Sequence, residues 1–115
     1  MKKFLVTYLA PASVVDDWKK TAPEKRKQDE EKMQGEWKSW MRDHAKLFSD
    51  AGAGVGKTKR VTGQGTADAR NDIMLYSVVE ADSHDAAAKN FEGHPHLQIP
   101  KSAIEVMEIN PLPPM

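Results

Sequence analysis

Residues 73–79, I-M-L-Y-S-V-V, decide how this chain is read. Apolar side chains fill all but one position, the run is short, and branched and aromatic types predominate, which predicts a strand with both faces covered. Successive strand side chains alternate, so Ile73, Leu75 and Val79 share one face, while Met74, Tyr76 and Val78 share the other. The same pattern recurs twice. In a strand over residues 3–10, closed by Pro11, Phe4, Val6 and Tyr8 oppose Leu5 and Leu9. In a strand from Ala103 to Ile109, Ile104 and Val106 oppose Ala103, Met107 and Ile109. The helices of so short a chain cover one face of an antiparallel sheet, and a second apolar face needs a second copy. Each buried side chain of this size is worth roughly 1.5–3 kcal/mol, enough to drive homodimerisation through the open sheet face. Glu105, on the Met107 face, is out of keeping with that burial and is expected at its rim or bonded across the dimer.

Helices are expected between these strands. Ser13 with Asp16, and Thr21 with Glu24, have capping-box spacing. They predict a short helix to about Lys20 and a long one from Ala22 to Phe48, with Pro23 tolerated in its first turn. Lys25/Asp29, Arg26/Glu30 and Lys27/Glu31 pair opposite charges four residues apart, so the front half has no one-sided basic face for a membrane or an acidic partner. Met33, Trp37, Trp40, Met41, His44, Leu47 and Phe48 then form an apolar stripe, which Gly52 and Gly54 end. Gly56–Gly63, rich in cations and threonine, reads as an edge strand, and Gly65–Asn71 as a loop. Asp82 or Ser83 caps a helix over Ala86–Phe91, and Gly93 ends it. The expected fold class is α+β, a single domain over 1–115 with a ferredoxin-like β-α-β-β-α-β order and a four-stranded antiparallel sheet.

Composition narrows the function. The chain has 115 residues, 17 basic and 17 acidic side chains, no net charge and no cysteine. A neutral chain has no surplus of cations for nucleic acid. Without cysteine there is no disulfide, thiolate nucleophile or sulfur-bound metal. No stretch suits a membrane span. Lys2, Lys3 and Phe4–Ala10 imitate the start of an export signal, but the apolar run is short and reads better as a strand, so the expected location is cytoplasmic.

The last third, I-M-L-Y-S-V-V-E-A-D-S-H-D-A-A-A (73–88), G-H-P-H-L (93–97) and I-E-V-M-E-I (104–109), resembles the YCII-related proteins, and F-L-V-T-Y-L (4–9) is consistent with them. The resemblance implies a dimeric α+β barrel, two ferredoxin-like sheets packed face to face. It also implies relatives that include cofactor-free enzymes of small aromatic or lactone-like molecules. The middle of the chain departs from the family. Gly65–Asp72 lacks the D-G-P-F signature of one branch, and no histidine before His44 matches the histidine of another.

Several motifs carry potential chemistry. A-G-A-G-V-G-K-T (51–58) fits a relaxed phosphate-loop pattern, with Lys57 and Thr58 in the key positions. It follows a helical stripe and precedes no helix, so the expectation is a glycine turn rather than a nucleotide site. His94 and His96 bracket Pro95 and, with His44, are the candidates for acid–base catalysis. Their plainer role is to cap the preceding helix and pack the loop. A metal at the pair would need His44, Asp72 or Glu92 as a third ligand, and none is expected. Tyr8, Trp40 and Tyr76, with Asp72, are the candidate ligand-binding residues, the aromatics lining a pocket for a flat molecule unless they are plain core. His84, in a first helical turn, is expected to be solvated. Two functions follow: a cofactor-independent lyase, isomerase or hydrolase using histidine, or a non-catalytic homodimer binding a small molecule.

Overall fold

In the computed structural model, which describes residues 1–114, β1 (Lys2–Leu9) lies between β5 (Ile73–Ala81) and β6 (Ala103–Glu108), antiparallel to both. β2 (Phe48–Gly54) pairs with the outer side of β5 and completes a four-stranded antiparallel sheet ordered β2-β5-β1-β6. With three helices this is an α+β architecture, compatible with a ferredoxin-like one. Phe4 stands opposite Val79, Val6 opposite Ser77 and Val106, and Tyr8 opposite Leu75 and Ile104. That face carries the core: Phe4, Val6, Tyr8 and Val79 are buried with Ala81, Ala87 and Phe91, and Trp37, Trp40, Leu47 and Phe48 pack against them. An extra residue on β5 at the register shift between Tyr8 and Leu9 brings Met74 towards the helix side, away from the Tyr76 and Val78 face expected for it.

The helices differ from expectation mainly at their ends. α1 (Ala12–Lys19) follows Pro11 and α2 (Pro23–Asp43) follows Ala22, and neither start has a side-chain cap. The residues expected to cap are used elsewhere. The Thr21 hydroxyl donates to the Trp18 carbonyl (2.6 Å), and Asp16 accepts two hydrogen bonds from the Arg70 guanidinium at 3.1 and 3.2 Å. α2 stops at Asp43, five residues before Phe48, because His44 leaves helical geometry and donates from Nδ1 to the Trp40 carbonyl at 2.8 Å. A 3-10 turn, Ala45–Leu47, then turns the chain into β2. The helical spacing of Leu47 and Phe48 is therefore satisfied by a turn and a strand that reach the same core. α3 (His84–Lys89) does carry its expected cap, with the Ala86 amide donating to the Ser83 hydroxyl at 3.1 Å.

The 56–63 segment is not the edge of the main sheet. β3 (Thr58–Thr62) pairs instead with β4 (Gly65–Ala69), where a loop was expected, as a separate hairpin held partly by Lys59 and Asp68. Edge position falls to β2, an irregular strand with two register shifts. Gly52, expected to end a helix, lies inside it at φ +81°, where a Cβ would stand 1.6 Å from the Tyr76 carbonyl oxygen. The molecule is a slab, 51 × 45 × 19 Å, with a radius of gyration of 16.3 Å. A compact domain of this length would have about 13 Å. One sheet with one helical layer, and a hairpin projecting from it, accounts for the excess.

Gly52→Ala is therefore expected to lose more than about 3 kcal/mol of stability, since backbone must move to admit the methyl group. Gly93→Ala, at φ +75° with open space around it, should lose only about 1 kcal/mol. Urea denaturation of the two variants checks the difference.

Candidate functional site

The carboxyl end of β1 delivers Tyr8 to the core, the second half of α2 delivers Trp37 and Trp40, and the 93–98 loop delivers His94 and His96. Pro95 opens a 3-10 turn (Pro95–Gln98) whose first free amide, that of His96, donates to His94 Nδ1 at 2.9 Å. His94 is thus an N-cap. Its Nδ1 accepts, so the proton of the neutral ring sits on Nε2. That N–H is buried with no hydrogen-bond partner. It lies among aromatic rings instead, with the Trp37 and Trp40 centroids each 4.4 Å away in T-shaped contact and Tyr8 at 5.4 Å. Such an N–H is partly compensated by an aromatic face. His96 donates from Nε2 to the Leu9 carbonyl at 2.9 Å and ties the loop to the end of β1. The Tyr8 hydroxyl bonds Ser77 at 2.9 Å across the sheet.

Both loop histidines are only 1% exposed. Burial, helped by the nearby His96 and His44, pushes the His94 imidazole down to about 4. Burial also lowers His96, against the opposing pull of the Leu9 carbonyl, and raises Tyr8, which the Ser77 bond partly offsets. His94 is thus neutral throughout the physiological range and shielded from solvent in this conformation. His44 lies at the rim, half-buried, stacked on Trp40 with centroids 4.0 Å apart. His84 is the one histidine near water, yet it also donates to the Val106 carbonyl at 2.7 Å and stacks on Phe4.

Of the sequence candidates, Tyr8, Trp40, His44, His94 and His96 therefore come together in one aromatic chamber. Tyr76 and Asp72 do not join it. Tyr76 pairs with Thr7 on the opposite face of the sheet, and exposed Asp72 precedes β5 beside the carboxyl end of β1, its carbonyl accepting from the Ala10 amide at 2.9 Å. Among the described residues no three His, Asp or Glu side chains converge as metal ligands.

Space for a ligand lies beside the chamber rather than inside it. A cleft of about 450 Å³ opens between Val14, Val15 and Trp18 of α1, Met33 of α2, Met74 and Ile99. A second, of about 410 Å³, lies beyond α1 and is lined by Lys19, Lys57, Thr58, Arg70, Asn71 and Asp72. Val15 and Met74 border both. Sequence reading passed over the apolar wall, although Val14, Val15 and Trp18 already carry helical spacing. Lys57 ends the turn after β2 and Thr58 opens β3, so a strand and not a helix follows the glycines, and the phosphate-loop pattern is a coincidence of glycines.

No protein-family model matches the chain, and no curated protein matches it.

The chamber predicts an acid-sensitive fold. An unfolded histidine takes up a proton near pH 6.5, but folded His94 does so only near 4. Stability is thus complete above pH 6.5 and falls as the pH drops towards 4, by on the order of 3 kcal/mol from this residue. His94→Asn retains an acceptor for the His96 amide but cannot titrate. Its unfolding free energy should be lower at pH 7 and should decline less between pH 6.5 and 4.5 than that of the parent.

Proposed function

We propose that this chain is a cytoplasmic, YCII-like homodimer that binds a small apolar or aromatic molecule and does so without catalysis. The observation that carries this reading is the cleft between α1 and α2, whose volume falls within the range of small-molecule sites and whose wall is mostly apolar. Its α1 and α2 side chains are only half-buried and no residue of either helix is fully buried, so the cleft admits a ligand without displacing core.

The dimeric α+β barrel rests on the sheet. With the β3–β4 hairpin set aside as an insertion, the remaining elements read β-α-β-β-α-β, α1 and α2 together filling the first helical connection. Leu5, Leu9, Tyr76 and Val78 lie on the face away from the core, with Met107 beside them 40% exposed. A slab 19 Å thick leaves that face for a second copy. No helix among the described residues is long and apolar enough to cross a membrane. The enzymatic alternative has one observation in its favour, the unpartnered Nε2 of His94 among aromatic rings. It would require the chamber to open, and half-buried His44 to share the proton transfer.

Light scattering should give twice the monomer mass at micromolar concentration. Val78→Glu, which places a charge in the shared face, should return the protein to a monomer. N-phenyl-1-naphthylamine, an uncharged aromatic probe, should bind the dimer with a rise in fluorescence that Met33→Glu abolishes. A dimer that fails to bind the probe would remove the binding reading.

A further inference from the structure

The two clefts flanking α1 differ in chemistry and share a border. On the α2 side the wall is largely apolar, formed by Val14, Val15, Trp18, Met33, Met74 and Ile99, with Asp29, Glu30 and Lys32 of α2 at the same cleft; beyond Val15 and Met74 it becomes Lys19, Lys57 and Arg70. These three cations are not equivalent. Arg70 is fixed by its two hydrogen bonds to Asp16, whose carboxyl it holds below the usual range. Lys19 and Lys57 belong to no ion pair among the described residues. Asp72 lines the same recess. With Asp16 it offsets two of the three positive charges, which leaves the recess net positive. Lys57 also holds a left-handed backbone at φ +55°, a conformation that glycine adopts without cost and that costs a lysine about 1 kcal/mol or more. Glycine stands next to it at position 56, yet the strained position itself carries a long cationic side chain.

We propose that the two clefts form one site for an organic anion, with its hydrocarbon or aromatic body between α1 and α2 and its acidic group against Lys19 and Lys57. The inference rests on the binding reading given above and adds the ligand's charge. The apolar cleft supplies affinity through burial, while the exposed lysines supply selectivity for the anionic end and a dependence on salt. A mononegative group such as a carboxylate suits the recess. Two free lysines, with Asp72 beside them, are a poor match for the multiple charges of a nucleotide.

Paired fluorescent probes test the charge separately from the cleft. N-phenyl-1-naphthylamine and 8-anilinonaphthalene-1-sulfonate share an aryl-amine body and differ by one sulfonate. The sulfonate should bind roughly threefold or more tightly than the neutral probe at about 20 mM salt, and the margin should vanish at about 500 mM. Lys57→Gln should weaken the sulfonate by a similar factor and leave the neutral probe unchanged. Lys19→Gln should act in the same direction. Equal affinity for both probes, or a sulfonate indifferent to both lysine variants, would overturn the anion site while the apolar cleft stands. Failure of both probes to bind would overturn the cleft itself.

Discussion

Phe4, Val6, Tyr8 and Val79 bury one face of the sheet under α2 and α3, and this single packed layer holds everything else in place. The opposite face carries Leu5, Tyr76 and Val78, and nothing in one copy's helical layer reaches it. Four strands and three helices make a thin plate, and a thin plate has too much surface for its volume to be stable on burial alone. The fold therefore depends on how well that one layer is locked.

The lock is the group of rings around His94. Tyr8 comes from the sheet, Trp37 and Trp40 from α2, Phe91 from the turn after α3, and the two histidines from the loop that leads into β6. Three segments distant in sequence meet at one imidazole. His94 can be buried there because its Nδ1 replaces the amide acceptor that the start of the 3-10 turn lacks, and because its other nitrogen faces aromatic rings. Burial and hydrogen bonding thus assign both loop histidines to architecture. The same burial holds His94 neutral and lowers the basicity of His96.

Sequence periodicity revealed the three long strands, the face they share and the amphipathic half of α2, because alternating and helical patterns are local properties of the chain. It gave no warning of β2. Phe48 satisfies a helical stripe and a strand face equally well, and the break before it is made by His44 turning onto Trp40, a contact that spacing does not encode. Nor did it separate β3 and β4 from the sheet, since a polar strand pairs with whichever edge lies nearest. For the site, Tyr8, Trp40, His44, His94 and His96 were legible as an aromatic and histidine-rich set. That Tyr76 belongs to the other face was legible too, from its alternation with Leu75, had the pocket been assigned to one side of the sheet. The wall of the cleft was hidden in α1, a helix of eight residues whose importance comes from where it lies.

That position links the binding reading to the fold. α1 has no buried residue and no side-chain cap, and its firmest tether is Asp16 to Arg70, at the base of the β3–β4 hairpin. An exposed pair of this kind contributes little stability, since water and salt screen it. A helix so lightly held over an apolar cleft is one of the least stable parts of the molecule, and regions that admit ligands are drawn from that end of the range. Val15 borders both clefts from this helix, so any motion of α1 changes the two together. A ligand that bridged them would order α1 against the sheet, and the affinity measured for it would already include the cost of that ordering.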